Sequence, residues 1–251
     1  MGSISIRKHI RWPPAPAAEP TSTIVVTSPG RRFVDLRVLL PLPSDHEKGG
    51  VSRVPVSSVE WAIAGSSESW IRKGADGEDI SHSKWTHWID SRTMLNPEDS
   101  VADEGDMFPQ PDGTTLEKGR MLNPDLGVEA DYEELWDDGK PIPGILGEDG
   151  QARPLAGGVA RCIVMQMEDQ SLRARGRIVL LGQYCQGLVR IGDEIAAQRW
   201  EWQLGRGWAM TIKIGELALP CLEVIRQATK TEADKELKCG EQSWKLHESV
   251  P

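Results

Sequence analysis

From Lys84 to Asp138 the chain alternates short extended segments with turns rich in Gly, Pro, Asn and Asp, a pattern that leaves little room for anything but β-structure. Trp85, Trp88 and Trp136 ride on these segments. Side chains in a strand alternate between faces, so His87 is expected to share a face with Trp85 and Ile89. By the same rule Asp131 and Glu133 take one face, and Tyr132 and Glu134 the other.

The reading extends along the chain. Ile4, Ile6 and Ile10 form an extended or irregular lead-in, and the prolines of Pro13–Pro20 break regular structure. Thr21–Thr27, rich in β-branched residues, and Arg32–Leu40 form a hairpin across Ser28-Pro29-Gly30, with Phe33, Asp35 and Arg37 alternating against Val34, Leu36 and Val38. A polar loop over Pro41–Arg53 precedes a strand over Val56–Ala64. Ser66, Ser67 and Ser69 make a turn before Trp70–Arg72, a polar loop spans Gly74–Ser83, and the next strand is Trp85–Ser91. Residues 94–113 show turn chemistry alone. Thr114–Met121 and Val128–Trp136 pair as a hairpin that ends the first half.

Lys140–Gly158 combines Pro, Gly and charge and reads as a connection. The expected division is an N-terminal β-barrel domain over residues 1–142, a linker over 143–158 and a C-terminal β-barrel domain over 159–251. Strands are expected at Arg161–Met167, Ala174–Leu181, Gln186–Ile191, Glu194–Leu204 and Trp208–Ile214. Leu222–Thr229 reads as a strand or one helical turn, Glu232–Lys238 as a short helix and Ser243–His247 as a closing strand. The fold class is all-β, with two antiparallel β-barrel domains in tandem, since barrels of this size hide their sheet edges by closing.

Charge narrows the partners. Residues 1–150 hold 15 Lys+Arg against 26 Asp+Glu, while residues 151–251 hold 14 against 12. An acidic face repels phosphate backbones and anionic membrane surfaces, which argues against nucleic acid and membrane partners. The N-terminus has no apolar run of a secretory signal, and no segment approaches the ~20 apolar residues of a membrane helix. Cys162, Cys185, Cys221 and Cys239 match no zinc spacing. No metal and no cofactor is expected, and free thiols in a reducing, intracellular compartment are.

Several phrases are specific enough to carry a resemblance: SIRKHIRWPPAPAAEPTSTIVVTSPGRRFVDLRVL, VEWAIAG, HWIDSRT, DEGDMFPQPDGTTLEKGRMLNP, DYEELW, GQYCQGLVRIGDE and RWEW. In order and over nearly the whole chain they resemble the fungal HRI-type proteins, a family named for interaction with a yeast casein kinase I. The resemblance implies two lipocalin-like (calycin-like) β-barrels in a protein of the cytoplasm and also the nucleus, with casein kinase I as a partner. It implies no catalytic residues.

The candidate site is a pocket for a small apolar ligand in the first barrel, drawn from Trp61, Trp70, Trp85, His87, Trp88, Arg120, Tyr132 and Trp136, with Asp90 and Arg92 close in sequence. The competing reading is that these tryptophans plug the barrel. His87 either performs acid–base work or is a satisfied structural histidine. Glu129, Asp131, Glu133, Glu134, Asp137 and Asp138 read as a solvated face, Cys185 as a buried structural thiol, and Arg177, Arg190 and Arg199 as exposed partners of Glu194 and Glu201 or as an anion site. Ser81 after Glu78, and Ser100 before Asp103 and Glu104, resemble acid-directed kinase sites. The function expected is a non-enzymatic binding or adaptor protein; the alternative is a cofactor-independent cyclase or isomerase acting on an apolar substrate, which needs only a shaped pocket.

Overall fold

The computed structural model describes residues 2–42, 51–96, 99, 101–124, 126–230 and 233–250. Ser100, residues 43–50 of the expected loop and the first residue of the expected helix, Glu232, lie outside the described residues. Strands β1 (Ser3–Arg11), β2 (Thr21–Thr27) and β3 (Arg32–Leu39) come first, followed by the short β4 (Ser52–Val54). Then come β5 (Val59–Lys73), β6 (Asp79–Asp90), β7 (Ala102–Pro109), β8 (Thr115–Asn123) and β9 (Val128–Gly139). Strands β1, β2, β3, β5, β6, β7, β8 and β9 pair in that order into a closed antiparallel barrel, with β9 returning to β1.

A hairpin of β10 (Ile145–Leu146) and β11 (Ala152–Arg153) lies within the expected linker. It is tied down: the indole N–H groups of Trp202 and Trp208 donate to Gly147 O at 2.9 Å and Leu146 O at 3.0 Å. The second half supplies β12 (Cys162–Asp169), β13 (Ala174–Leu181), β14 (Tyr184–Ile191), β15 (Glu194–Gln203), β16 (Gly207–Ile214), helix α1 (Cys221–Gln227), β17 (Glu236–Cys239) and β18 (Gln242–Val250). Their sheet runs β17-β18-β12-β13-β14-β15-β16 and takes β4, parallel to β16, as its last strand. It is not closed. Cys221, Val224 and Ile225 of α1 and the fully buried Trp244 fill its hollow against Ile178 and Leu180.

Several elements differ from the sequence reading. Ser66, Ser67 and Ser69 do not turn the chain; β5 runs straight through them, each serine paired across to β6. Residues 94–113 contain β7, whose acidic and glycine-containing run ADEGDMFP lacks the apolar alternation that marks a half-buried strand. The helix lies at Cys221–Gln227 rather than Glu232–Lys238, because positions 221, 224 and 225 form one apolar helical face, whereas Glu236–Cys239 pairs with β18.

The two sheets meet over the outer face of the barrel. Ile24, Val26, Val34, Leu36 and Ala64 pack on Val164, Val179, Leu188, Ala197 and Ile212 in one continuous apolar core. Strand β3 is consequently buried on both faces. Two long polar side chains cross this seam. Gln186 donates through Nε2 to Ile24 O at 2.9 Å and Val34 O at 3.0 Å. Arg199 donates to Gln186 Oε1, Ser22 Oγ and Leu36 O, each at 2.8 Å. Burial pulls the Arg199 guanidinium down to about 10, against the weaker pull of the nearby Glu201 charge. Arg177 and Arg190 likewise donate to first-barrel carbonyls, of Gly65 and Asp90. The arginines therefore neither pair with Glu194 and Glu201 nor gather into an anion site.

Removing Arg199 orphans carbonyls at the centre of this seam. Arg199→Ala is expected to lower unfolding stability by about 2–4 kcal/mol in urea titrations followed by tryptophan fluorescence. Arg199→Lys should recover little, since one ammonium cannot span three acceptors; a loss below about 0.5 kcal/mol for the alanine variant would show that the seam does not depend on this side chain.

Candidate functional site

Because the apolar residues of β2, β3 and β5 face the second sheet, the alternate residues of the same strands face the barrel interior, and many are polar. Asp35 and Arg37 of β3, both buried, meet Arg7 of β1 and Glu134 of β9. Glu134 Oε1 accepts from Arg7 Nη1 at 2.5 Å and Arg37 Nη1 at 3.1 Å, and Asp35 Oδ2 accepts from Arg37 Nε at 2.9 Å. Glu19, at the end of the proline-rich lead-in, closes the network: its carboxylate accepts from Arg7 Nε at 2.9 Å and Thr21 Oγ1 at 2.6 Å. Burial disfavours both ions of such a pair, so the network persists only because each charge faces an opposite one. Burial pushes the Asp35 carboxyl up, against the pull of Arg37.

A second polar cluster sits on β6. Residues three apart in a regular strand point to opposite faces, yet His87 and Asp90 both face inward. The reason is a β-bulge: Ala64 pairs with Ile89 and Gly65 with His87, which leaves Trp88 as the extra residue. A Cβ at Gly65 would lie 1.9 Å from Thr86 O, so this crossing accepts only glycine. His87 Nδ1 lies 3.0 Å from Asp90 Oδ2 and Nε2 lies 3.1 Å from Asp103 Oδ2. Both nitrogens face carboxylates, which fits an imidazolium donating twice. Burial opposes that charge, but the bonds to Asp103 and Asp90 outweigh it and push His87 up to about 9. Asp90 also accepts from the Trp61 indole at 3.0 Å.

Glu117 of β8 is the fourth buried acid. Its oxygens accept from Tyr132 Oη at 2.6 Å and Trp136 Nε1 at 2.9 Å. Burial first, then the nearby Glu134 charge, push it up to about 8. Tyr132 lies flat across Gly119, where a Cβ would stand 2.5 Å from its hydroxyl.

Between these clusters lies a cavity of about 320 Å³. Its apolar wall includes Phe33, Ile63, Trp85, Met107 and Met121, and its polar side includes Asp35, Arg37, His87, Glu117 and Glu134. Of the expected site residues, Trp85, His87, Tyr132 and Trp136 line it, and Trp61 stands behind His87 with ring centroids 5.6 Å apart. Three lie elsewhere. Trp70 is exposed and its ring meets that of His82 at a tilt of 56°, centroids 4.8 Å apart. Trp88 faces the second sheet under Arg177, 4.8 Å from its ring. Arg120 is exposed and pairs with Asp131 at 2.9 Å. The acidic run is not all a solvated face, because Glu134 points inward. Sequence reasoning passed over Arg7, Asp35, Arg37 and Glu117 and put Glu134 on a solvated face, although the alternation of Asp35 and Arg37 with Val34, Leu36 and Val38 marks their shared face. Ser81 lies within β6, paired with Ile71 and Met107. Among the described residues, no group of three or more His, Cys, Asp and Glu is arranged to hold a metal ion, and no helix is long and apolar enough to cross a membrane.

The raised groups make stability depend on pH. Between 6.5 and about 9 the folded state holds the His87 proton more tightly than the unfolded chain. Stability from this site is therefore complete below 6.5 and is lost as pH rises through about 9, by up to about 3 kcal/mol. Glu117 acts in the same direction between 4.5 and about 8. Melting temperatures should fall across pH 6.5–9, and His87→Gln should flatten the part above pH 8; an unchanged slope in that variant would show that His87 is not the group responsible.

A solved structure places this architecture among known folds. The crystal structure of the uncharacterized protein YLR301w from Saccharomyces cerevisiae is similar with a TM-score of 0.69 at 14% identity, over 100% of both chains, a likeness of fold. No curated protein matches the chain. The family model described as Protein HRI1 matches residues 3–248, nearly the whole sequence, and the chain belongs to that family.

Proposed function

We propose that this protein is a non-enzymatic binding module whose first barrel takes up one small amphipathic molecule. The observation that carries the reading is the cavity of about 320 Å³ bounded by an aromatic wall on one side and fixed polar groups on the other. That volume lies at the lower end of small-molecule sites. The apolar ligand expected from the tryptophans becomes an amphipathic one, because five of the polar lining groups are ionisable and buried or nearly so. In this reading the units over 1–142 and 159–251 divide the labour, with the filled second sheet acting as a platform and residues 143–158 as the connection.

Turnover is the weaker reading. A cyclase or isomerase acting through His87 needs a ring nitrogen open to substrate, whereas both nitrogens of His87 are engaged by Asp90 and Asp103. The adaptor side of the proposal uses the outer face of β9, where Glu129 and Asp131 are exposed; casein kinase I, the partner implied by the family resemblance, would be met there. All four cysteines are free, which supports placement in a reducing compartment such as the cytoplasm or nucleus.

The test uses N-phenyl-1-naphthylamine, a neutral probe that fluoresces in apolar surroundings. It should bind the full chain with one site, and Ser67→Phe, which fills the cavity from β5, should weaken binding at least about tenfold without lowering the melting temperature. Equal binding by the two proteins would place the probe elsewhere and remove the support for this reading.

A further inference from the structure

We propose that the molecule held in the first barrel is an organic cation, an amphipathic amine whose ammonium group is received by Glu117 and Asp35. This rests on the cavity being a binding site. Five carboxyl groups line it, those of Asp35, Asp103, Glu117, Glu134 and Asp138, against three cationic side chains, Arg31, Arg37 and His87. Immediately behind the lining stand Arg7, Glu19 and Asp90, one cation and two more carboxyls. With all of them ionised the interior is short of positive charge, a shortage that Glu117 otherwise meets by keeping its proton.

The shortage has an address. Asp103 faces His87, and Glu134 faces Arg7 and Arg37. Glu117 has no ion-pair partner among the described residues; its two hydrogen-bond donors, Tyr132 and Trp136, are neutral. It is 4% exposed, so water does little to compensate it. Asp35 is equally buried, and while its Oδ2 is engaged by Arg37, its Oδ1 has no hydrogen-bond partner. A buried carboxylate oxygen left without a donor is costly. Both side chains face the same cavity, and an ammonium brings the positive charge that one lacks and the N–H donors that the other lacks.

An anion fits poorly. Arg7 and Arg37 are already engaged by Glu134 and His87 by Asp90 and Asp103, and the remaining cation, Arg31, is exposed where solvent screens it. A bare metal ion fits poorly too, because the lining carboxyls are not gathered into a coordinating group. The organic body of the cation is accommodated by Phe33, Trp85, Met107 and Met121, and aromatic faces add attraction for an ammonium within about 6 Å.

Three probes that share one body and differ in charge test this by calorimetry on the full chain: 4-phenylbutylamine, 4-phenyl-1-butanol and 4-phenylbutyrate. The amine should bind at least about tenfold more tightly than the alcohol, with the carboxylate weakest. Glu117→Gln should remove most of that preference by weakening the amine far more than the alcohol, and Asp35→Asn should reduce it in part. If Glu117→Gln does not fold, the ranking in the unsubstituted protein decides alone. Equal binding of all three, or tightest binding of the carboxylate, overturns the cation assignment and leaves the cavity reading standing. Binding of none overturns both.

Discussion

Burial of one set of strands on both faces governs this molecule. Strands β2, β3 and β5 have an apolar side and a polar side, and an isolated barrel built from them would be expected to turn the apolar side inward. Here the second sheet covers the outside, and Ile24, Val26, Val34, Leu36 and Ala64 are buried against it. Most of the first half's hydrophobic stabilisation is thus placed in the seam it shares with the second sheet, at roughly 25 cal/mol for each Å² of apolar surface removed from water. The interior is left to the polar side of the same strands.

That inversion explains why the first barrel retains a cavity. Apolar interiors close around any gap because dispersion contacts are lost there. Charged side chains cannot collapse in the same way, since each must keep its partner at hydrogen-bond distance. Arg7, Arg37 and Glu134 hold one another at 2.5 to 3.1 Å, and His87 is fixed between two carboxylates. The second sheet shows the contrast: its hollow is lined by Ile163, Met165, Ile178 and Leu180 and is filled by Trp244 and α1.

The strands of the first hairpin and nearly all of the second half were legible from alternation and turns. The direction of each face was not, because alternation shows that two faces differ and is silent about which is covered. Phe33, Asp35 and Arg37 were recognised as one face, yet only a neighbouring sheet with Val164 and Leu188 in reach decides that this face turns inward. The tryptophans misled in part for a related reason: Trp88 is apolar and adjacent to the inward-facing His87, so alternation turns it onto the seam, and the bulge keeps Ile89 on that same side. The serines of β5 looked like a turn because a strand facing a polar cavity has no need of apolar residues there. Local pattern reports burial, and burial here was set by contacts distant in sequence.

The second sheet also shapes the candidate site directly. The bulge that brings His87 and Asp90 onto one face exposes backbone carbonyls that the β5–β6 ladder does not use in a regular way. Arg175 Nη1 donates to Trp88 O at 2.9 Å, Arg190 Nη1 donates to Asp90 O at 2.6 Å, and Arg177 donates to Gly65 O opposite the bulge. The guanidinium groups of Arg175 and Arg177 also lie 5.6 and 4.8 Å from the Trp88 ring. Three arginines from β13 and β14 therefore hold the one irregularity on which the His87–Asp90 pair depends. A barrel without its neighbour would lose these donors along with the cover for its apolar face, and a regular β6 would turn His87 and Asp90 to opposite sides of the sheet. The geometry of the cavity is in that sense a property of both halves of the chain, although every residue that lines it belongs to the first.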